Sequence, residues 1–134
     1  MKYFYFDTSI WMDIYDKRGV HGDVAKKLLE KIIHEDFFVV YSDVIFTELK
    51  RLNYSDFEIN QMLSIAKPNH IKRIQSTKEQ IEEAVRLARQ RDVPFRDALH
   101  ALICRDHDLQ LVSRDWDFEK LKDVARAMKP EDLV

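Results

Sequence analysis

The chain has little of the residues that interrupt regular structure: two glycines and three prolines in 134 residues, against roughly 12% combined usage in an average protein. This scarcity excludes a turn-rich sandwich, a flexible linker and low-complexity sequence, and it favours long helices. A single cysteine, Cys104, excludes an intramolecular disulfide framework and any multi-cysteine zinc site, and is compatible with a reducing cytoplasm. Long apolar runs are missing too. The aromatic stretch Tyr3–Phe6 is far shorter than a signal-peptide core, and no segment approaches the roughly 20 apolar residues of a membrane span. A soluble, cytoplasmic protein without membrane contact is therefore expected. Nor is there an excess of one charge, since 22 Lys+Arg stand against 24 Asp+Glu for a net charge of −2. A polyanion would have to be met by a local basic face, because the whole-molecule field offers phosphate no general attraction.

Hydrophobic residues make up 46% of the chain and charged ones 34%, a globular profile. The length is about nine-tenths of a 150-residue domain, so residues 1–134 are expected to form one domain around one core. Tyr3–Phe6, stopped by Asp7, has the continuous apolar character of a strand buried on both faces. Phe37–Tyr41, Leu109–Val112 and Ile71–Ile74 share that character in decreasing strength, with a fifth candidate at Val124–Met128. Helical periodicity fills the intervals. Ile10, Trp11, Ile14 and Tyr15 mark one stripe; Val24, Leu28, Leu29, Ile32 and Ile33 a second; Val44, Ile45, Leu49 and Leu52 a third. A break at Arg51–Phe57 separates the third helix from a fourth over Phe57–Ala66. Ser76 with Glu79 reads as a capping box opening a fifth, through Ile81, Ala84, Val85 and Ala88. Asp92 and Pro94 open a sixth, through Ala98, Leu99, Leu102 and Ile103. The alternation predicts an α/β protein, a three-layer α/β/α sandwich with a central parallel sheet of four to five strands.

Ligands of an open α/β sheet gather in the crevice outside the carboxyl ends of the strands, so acids just beyond buried strands carry most meaning. Asp7 is one, and the cap of a helix starting near Thr8 or Ser9 explains it equally well. Glu48 stands inside the apolar stripe of its own helix, four residues from both Val44 and Leu52. A carboxylate so placed needs a cation, which either a basic side chain or a metal supplies. Asp97 lies early in its helix, where the helix dipole accommodates negative charge. Asp115 and Asp117 follow Leu109–Val112, and for Asp117 the cap of a short helix over Phe118–Leu121 is a sufficient explanation.

Brought to one end of a parallel sheet, Asp7, Glu48, Asp97 and Asp115 would repel one another and could not all ionise unaided. A divalent ion resolves this, and all-oxygen ligands suit Mg²⁺ or Mn²⁺ rather than zinc. The nearest zinc-like pair, His100 with Cys104, has no second pair and reads as helix packing, while His21, His34, His70 and His107 read as surface residues. A carboxylate-held divalent ion suits phosphodiester hydrolysis: it polarises the ester, acidifies a bound water and offsets the repulsion between an acidic cleft and a polyanion. Arg86, Arg89, Arg91, Arg96, Arg105 and Arg114 flank these acids in sequence and could hold phosphates, although solvated helix faces commonly carry such charges. Trp11, Tyr15 and Tyr54 could stack on bases or form a dimer face, with core packing the simpler reading of Trp11.

Four segments together resemble the PIN domain (PilT N-terminus) family of Mg²⁺/Mn²⁺-dependent ribonucleases, which includes VapC-type toxins. They are Phe6-Asp7-Thr8-Ser9, Ser42-Asp43-Val44-Ile45-Phe46-Thr47-Glu48-Leu49, Asp97-Ala98-Leu99-His100-Ala101 and Ser113-Arg114-Asp115-Trp116-Asp117-Phe118; Lys129-Pro130-Glu131-Asp132 resembles the family's usual ending. The resemblance spans nearly the whole chain. It implies that Asp7, Glu48, Asp97 and Asp115 bind metal and activate water, with Asp117 an extra ligand, and that Thr8, Ser9 and Ser113 hydrogen-bond beside them. It also implies an RNA substrate, a small antitoxin that silences the enzyme, and a homodimer; of the flanking arginines, Arg96 and Arg114 are the ones expected to grip the substrate. Two other readings stand beside it: a metal-holding RNA-binding or interaction module of the same fold without turnover, and a structure-specific DNA nuclease. A haloacid dehalogenase-type phosphatase needs a second Asp where this chain has Ser9, and a phospho-receiver domain needs an acid adjacent to Asp7.

Overall fold

Aromatic and β-branched runs build the centre of the molecule. In a computed structural model, which describes residues 2–66 and 68–134, five parallel strands alternate with helices. The elements in chain order are β1 (Tyr3–Phe6), α1 (Thr8–Tyr15), α2 (Gly19–His34), β2 (Phe38–Ser42), α3 (Asp43–Arg51), α4 (Asp56–Ser64) and β3 (Ile71–Ile74). Then come α5 (Lys78–Arg91), α6 (Phe95–His107), β4 (Gln110–Val112), a 3₁₀ helix (Trp116–Leu121), β5 (Ala127–Met128) and α7 (Pro130–Leu133). The three-layer α/β/α sandwich expected from the pattern is the observed architecture.

The strand order β3-β2-β1-β4-β5 puts β1 in the middle. From β1 the chain grows one way through β2 to β3, then crosses back to lay β4 on the other side of β1 and β5 beyond it. Right-handed crossovers send the helices before β3 to one face and α5 and α6 to the other, while α7, after the last strand, packs on α2. Accordingly α1 packs on α2, α3 and α4, while α5 packs on α6 and α6 on the 3₁₀ helix. Tyr5, Phe6, Val39, Val40, Leu111 and Val112 of the three central strands are all buried. The order reverses between β1 and β4, the topological switch point where a crevice opens beyond the strands' carboxyl ends. Phe6 pairs with Val112 there, and the Asp7 amide donates to the Val112 carbonyl at 3.1 Å, so Asp7 and Ser113 leave the sheet side by side.

Scarce glycine leaves a visible trace at the helix ends. Asp36, Asn53, Asp92 and Asp108 take left-handed backbone conformations, with φ of 59°, 71°, 54° and 52°, because Asp and Asn tolerate that region better than other side-chain-bearing residues. Several predicted boundaries move for this and related reasons. Asp92 ends α5 rather than opening the next helix, and Pro94 occupies the cap position just before α6. The box that opens α5 is Thr77 with Gln80, not Ser76 with Glu79, because Ser76 gives its amide and its hydroxyl to Asp43, both at 2.7 Å. The fourth helix is Asp56–Ser64, pinned by a Ser55–Glu58 capping box. Of the predicted Val124–Met128 strand only Ala127 and Met128 pair, since the preceding residues still turn out of the 3₁₀ helix.

Gly22 of α2 marks a close helix crossing. A Cβ at that position would lie 2.5 Å from the Asp13 carbonyl oxygen on α1, which no side chain can occupy without parting the helices. Gly22→Ala is expected to lower unfolding stability by about 1–2 kcal/mol, overpacking outweighing the gain of up to about 1 kcal/mol in helix propensity. A lower urea midpoint at unchanged slope would show this, whereas a stabilised variant would contradict the close crossing.

Candidate active site

Asp7, Glu48, Asp97 and Asp115 line one cleft of about 260 Å³ beyond the carboxyl ends of the strands. A larger hollow of about 350 Å³ opens at the other end of β1, bordered by Lys2, Phe37 and Leu109, but the clustered acids stand at the switch point.

Asp7 is both a helix cap and a cleft residue. Its carboxylate is buried at the start of α1, where Oδ1 accepts the Ile10 amide at 3.2 Å and the Ser9 hydroxyl at 2.8 Å, and Oδ2 accepts the Ser113 hydroxyl. Burial raises its pKa, opposed by the hydrogen bonds from Ser113 and Ser9. Two of the three expected supporting hydroxyls therefore hold Asp7 in place. The third, Thr8, is buried in the cleft wall, and its Oγ1 finds no hydrogen-bond partner among the described residues.

Asp97 is the third residue of α6 and only 5% exposed. Its Oδ2 has no hydrogen-bond partner among the described residues. Burial, followed by the nearby charge of Asp115, lifts its pKa to about 7. Asp115 is exposed and, rather than Asp117, caps the 3₁₀ helix: it accepts the Asp117 amide at 2.9 Å, while its own amide donates to Ser113 Oγ at 3.0 Å. One carboxylate oxygen each from Asp97, Asp115 and Asp117 lie within 4.8 Å of one another. Hard oxygen donors, mutual repulsion and an orphaned buried carboxylate oxygen together fit a divalent cation of the Mg²⁺ or Mn²⁺ type.

Glu48, on α3, gains the basic partners its position requires. His100 Nε2 lies 2.5 Å from Oε1, and Arg96 Nε lies 3.5 Å from Oε2. Behind it runs a buried polar chain: His100 Nδ1 is 2.6 Å from the Tyr5 hydroxyl, which is 2.7 Å from Ser42 Oγ. One direction of donation satisfies every group, with Ser42 donating to Tyr5, Tyr5 to Nδ1 and Nε2–H to Glu48. The sequence reading of His100 as helix packing holds only in part, because both of its ring nitrogens are engaged. Cys104, one turn on, is buried and free, and its thiol pKa is pushed up by that burial. The usable signal for His100 was its spacing three residues after Asp97, which places both on one face of α6.

The arginines separate by geometry. Arg96 lines the cleft, as does Arg51, the last residue of α3, which sequence reasoning read only as the start of a break between helices. Arg114 is turned to Glu131, with Nη1 at 2.5 Å from Oε1, and toward Asp13 at 3.9 Å, outside the acid cleft. Arg91 pairs with Asp123, and Arg105 with Glu83 and Asp106, so these two are spent on surface ion pairs. Arg86 and Arg89 are exposed on α5. Trp11 is fully buried core; Tyr15 and Tyr54 meet edge to face, and Tyr54 donates to Asp16 at 2.6 Å. His70 is half-buried rather than on the surface, with Nδ1 3.1 Å from the Phe37 carbonyl oxygen.

The Asp97 shift sets a pH dependence whose sign is fixed. With the folded pKa raised from 3.8 to about 7, its contribution favours the metal-free fold fully below the unfolded value and is lost as pH rises toward 7. In EDTA, Asp97→Asn is expected to match the parent melting temperature near pH 4 and exceed it by several degrees at pH 8, at roughly 3–5 °C per kcal/mol relieved. Equal melting temperatures at both pH values would contradict the buried, unpaired carboxylate.

A PIN domain family model matches residues 4–124. Comparison with curated proteins finds no significant match. Among solved structures, the chain is similar to VapBC2 from Rickettsia felis bound to a promoter DNA fragment, at 18% identity and a TM-score of 0.71, covering 96% of this chain and 98% of that one. It is similar to VapC20 from Mycobacterium tuberculosis, a sarcin-ricin loop cleaving toxin, at 19% identity and TM-score 0.70 over 88% and 94% of the two chains. A toxin-antitoxin complex from Klebsiella pneumoniae gives 20% identity and TM-score 0.67 over 95% and 97%. The match over residues 4–124, on a parallel sheet whose switch point gathers acids, establishes that the chain belongs to the PIN domain family.

Proposed function

We propose that this chain is a divalent-metal-dependent endoribonuclease that hydrolyses RNA phosphodiesters. The observation that carries the reading is the convergence of Asp97, Asp115 and Asp117 oxygens within 4.8 Å of one another, where Asp97 and Asp115 line the same cleft as Asp7 and Glu48. Asp97, Asp115 and Asp117 would hold Mg²⁺ or Mn²⁺, with Asp7 and Glu48 completing the acidic set. Such an ion, when bound, supplies Lewis-acid polarisation of the phosphodiester and a water of lowered pKa. Ser9, Ser113 and the Ile10 amide fix the Asp7 carboxylate in one rotamer, so no reorganisation is needed at the moment of reaction. Glu48 lines the cleft with Oε1 held by His100 and Oε2 3.5 Å from Arg96 Nε, and its carboxylate can accept a proton from the attacking water. Arg96 and Arg51 border the cleft and can meet the substrate's phosphate oxygens.

In this reading the chain is a toxin silenced by a small antitoxin and acts as a cytoplasmic homodimer. Its similarity of fold to solved toxin-antitoxin complexes over nearly the full chain supports the antitoxin partner. No helix among the described residues is long and apolar enough to cross a membrane.

Incubating the purified chain with a mixed single-stranded RNA pool in Mg²⁺, Mn²⁺ or EDTA tests the activity. Cleavage in either metal, none in EDTA, and a fall of more than about 100-fold in Asp7→Asn and Asp97→Asn are expected, ligand loss exceeding the usual effect of an outer-shell change. RNA binding without turnover in any metal would assign the chain to a binding role, and cleavage confined to branched DNA would assign it to DNA.

A further inference from the structure

Asp115 borders two hollows. One is the acid cleft; the other is an open groove of about 330 Å³, whose walls include Trp116, Lys122, Arg126 and Lys129. The groove therefore adjoins the cleft at Asp115, the one lining residue the two share. Trp116 is 79% exposed, the most exposed of the large apolar side chains, while Phe118, two residues on, is 2% exposed in the core. The 3₁₀ helix thus spends its Phe on packing and leaves an indole in water between two acids of the site. Arg126 and Lys129 are exposed, and among the described residues no carboxylate lies within ion-pair distance of either. The other cations of the groove are engaged: Lys122 with Glu119 at 3.1 Å and Arg114 with Glu131 at 2.5 Å. A docking protein would meet a wide apolar patch, yet the indole stands singly among charges. An aromatic face beside uncommitted cations is instead the usual composition of a single-strand platform.

The geometry points to a track for single-stranded RNA: nucleotides adjoining the scissile phosphate pass Asp115, stack one unpaired base on the Trp116 indole and lay the next phosphates against Arg126 and Lys129. This rests on the nuclease reading of the cleft and adds the residues that grip the strand beyond it. Stacking on an indole needs a base free of its complement, so the track selects single strands and loops over duplex.

The test is a titration of the Asp7→Asn chain in Mg²⁺, which spares the RNA, with a fluorescein-labelled mixed-sequence 12-mer, read by anisotropy and by tryptophan emission. Trp11 is fully buried, so quenching reports Trp116. Saturable quenching is expected with single-stranded RNA and not with its duplex. Trp116→Ala should weaken binding about 5- to 150-fold, and Trp116→Phe should restore most of it, both with unchanged circular dichroism. Arg126→Gln and Lys129→Gln should each lower the slope of log affinity against log salt by about 0.7. Affinity for Trp116→Ala within twofold of its parent, with emission unmoved by RNA, would overturn the track. So would quenching by a polyglutamate peptide and not by RNA, which would make this a protein-docking face. Failure of the two readings is separable: quenching without metal-dependent cleavage by the native chain keeps the track and removes the nuclease, and cleavage with an indifferent Trp116 does the reverse.

Discussion

The hydrogen bond from Ser113 to Asp7 joins the ends of the two parallel strands between which the strand order reverses. Asp7 follows β1 and Ser113 follows β4, one residue past the Phe6–Val112 pair. The backbone register puts a carboxylate and a hydroxyl side by side at the one place where neighbouring crossovers depart to opposite faces and leave a crevice. From this point the remaining acids take their places. Asp97 arrives on the first turn of α6, Asp115 and Asp117 follow Ser113 into the 3₁₀ helix, and Glu48 reaches across from α3.

The arrangement is unfavourable to the fold alone. Asp97 is buried with an unpartnered oxygen and a pKa lifted to about 7, next to the charge of Asp115, and Asp7 is raised by its own burial. Structure elsewhere compensates without neutralising the cluster: hydroxyls and an amide hold Asp7, and the Ser42–Tyr5–His100 chain ties Glu48 to the sheet's interior. Such chains fix rotamers while leaving charge available at the cleft, the combination a cation site requires.

Most of this was legible in the sequence, for identifiable reasons. Buried parallel strands read as short continuous apolar runs, so Tyr3–Phe6 carries its bounds in the sequence, whereas the edge strand Ile71–Ile74, with Lys72 and Arg73 exposed at its centre, is marked only by its two isoleucines; acids directly after the buried runs announce a switch-point site. Helix starts were less legible where long-range contacts decided them. Ser76 has the right neighbour for a capping box, yet Asp43, far away in sequence, claims it. Asp92 resembles an N-cap, but in a chain with two glycines an Asp must also serve as a left-handed helix terminus. The His100 relay escaped notice because its spacing from Asp97 marks only the helix face, while the groups its two nitrogens meet, Tyr5 and Glu48, lie on other elements. Likewise, the pairings of Arg91 with Asp123 and of Arg105 with Glu83 depend on contacts between elements rather than on flanking sequence.

The account stands on the claim that the acids at the switch point form a site for a divalent cation. Titrating the metal-free chain with Mn²⁺ under electron paramagnetic resonance detection tests it without reference to any substrate. A saturable site of one to two ions, displaced by excess Mg²⁺ and weakened by removing the Asp97 carboxylate, is the predicted result. Absence of saturable binding at millimolar Mn²⁺, or binding unaffected by that change, would contradict the claim.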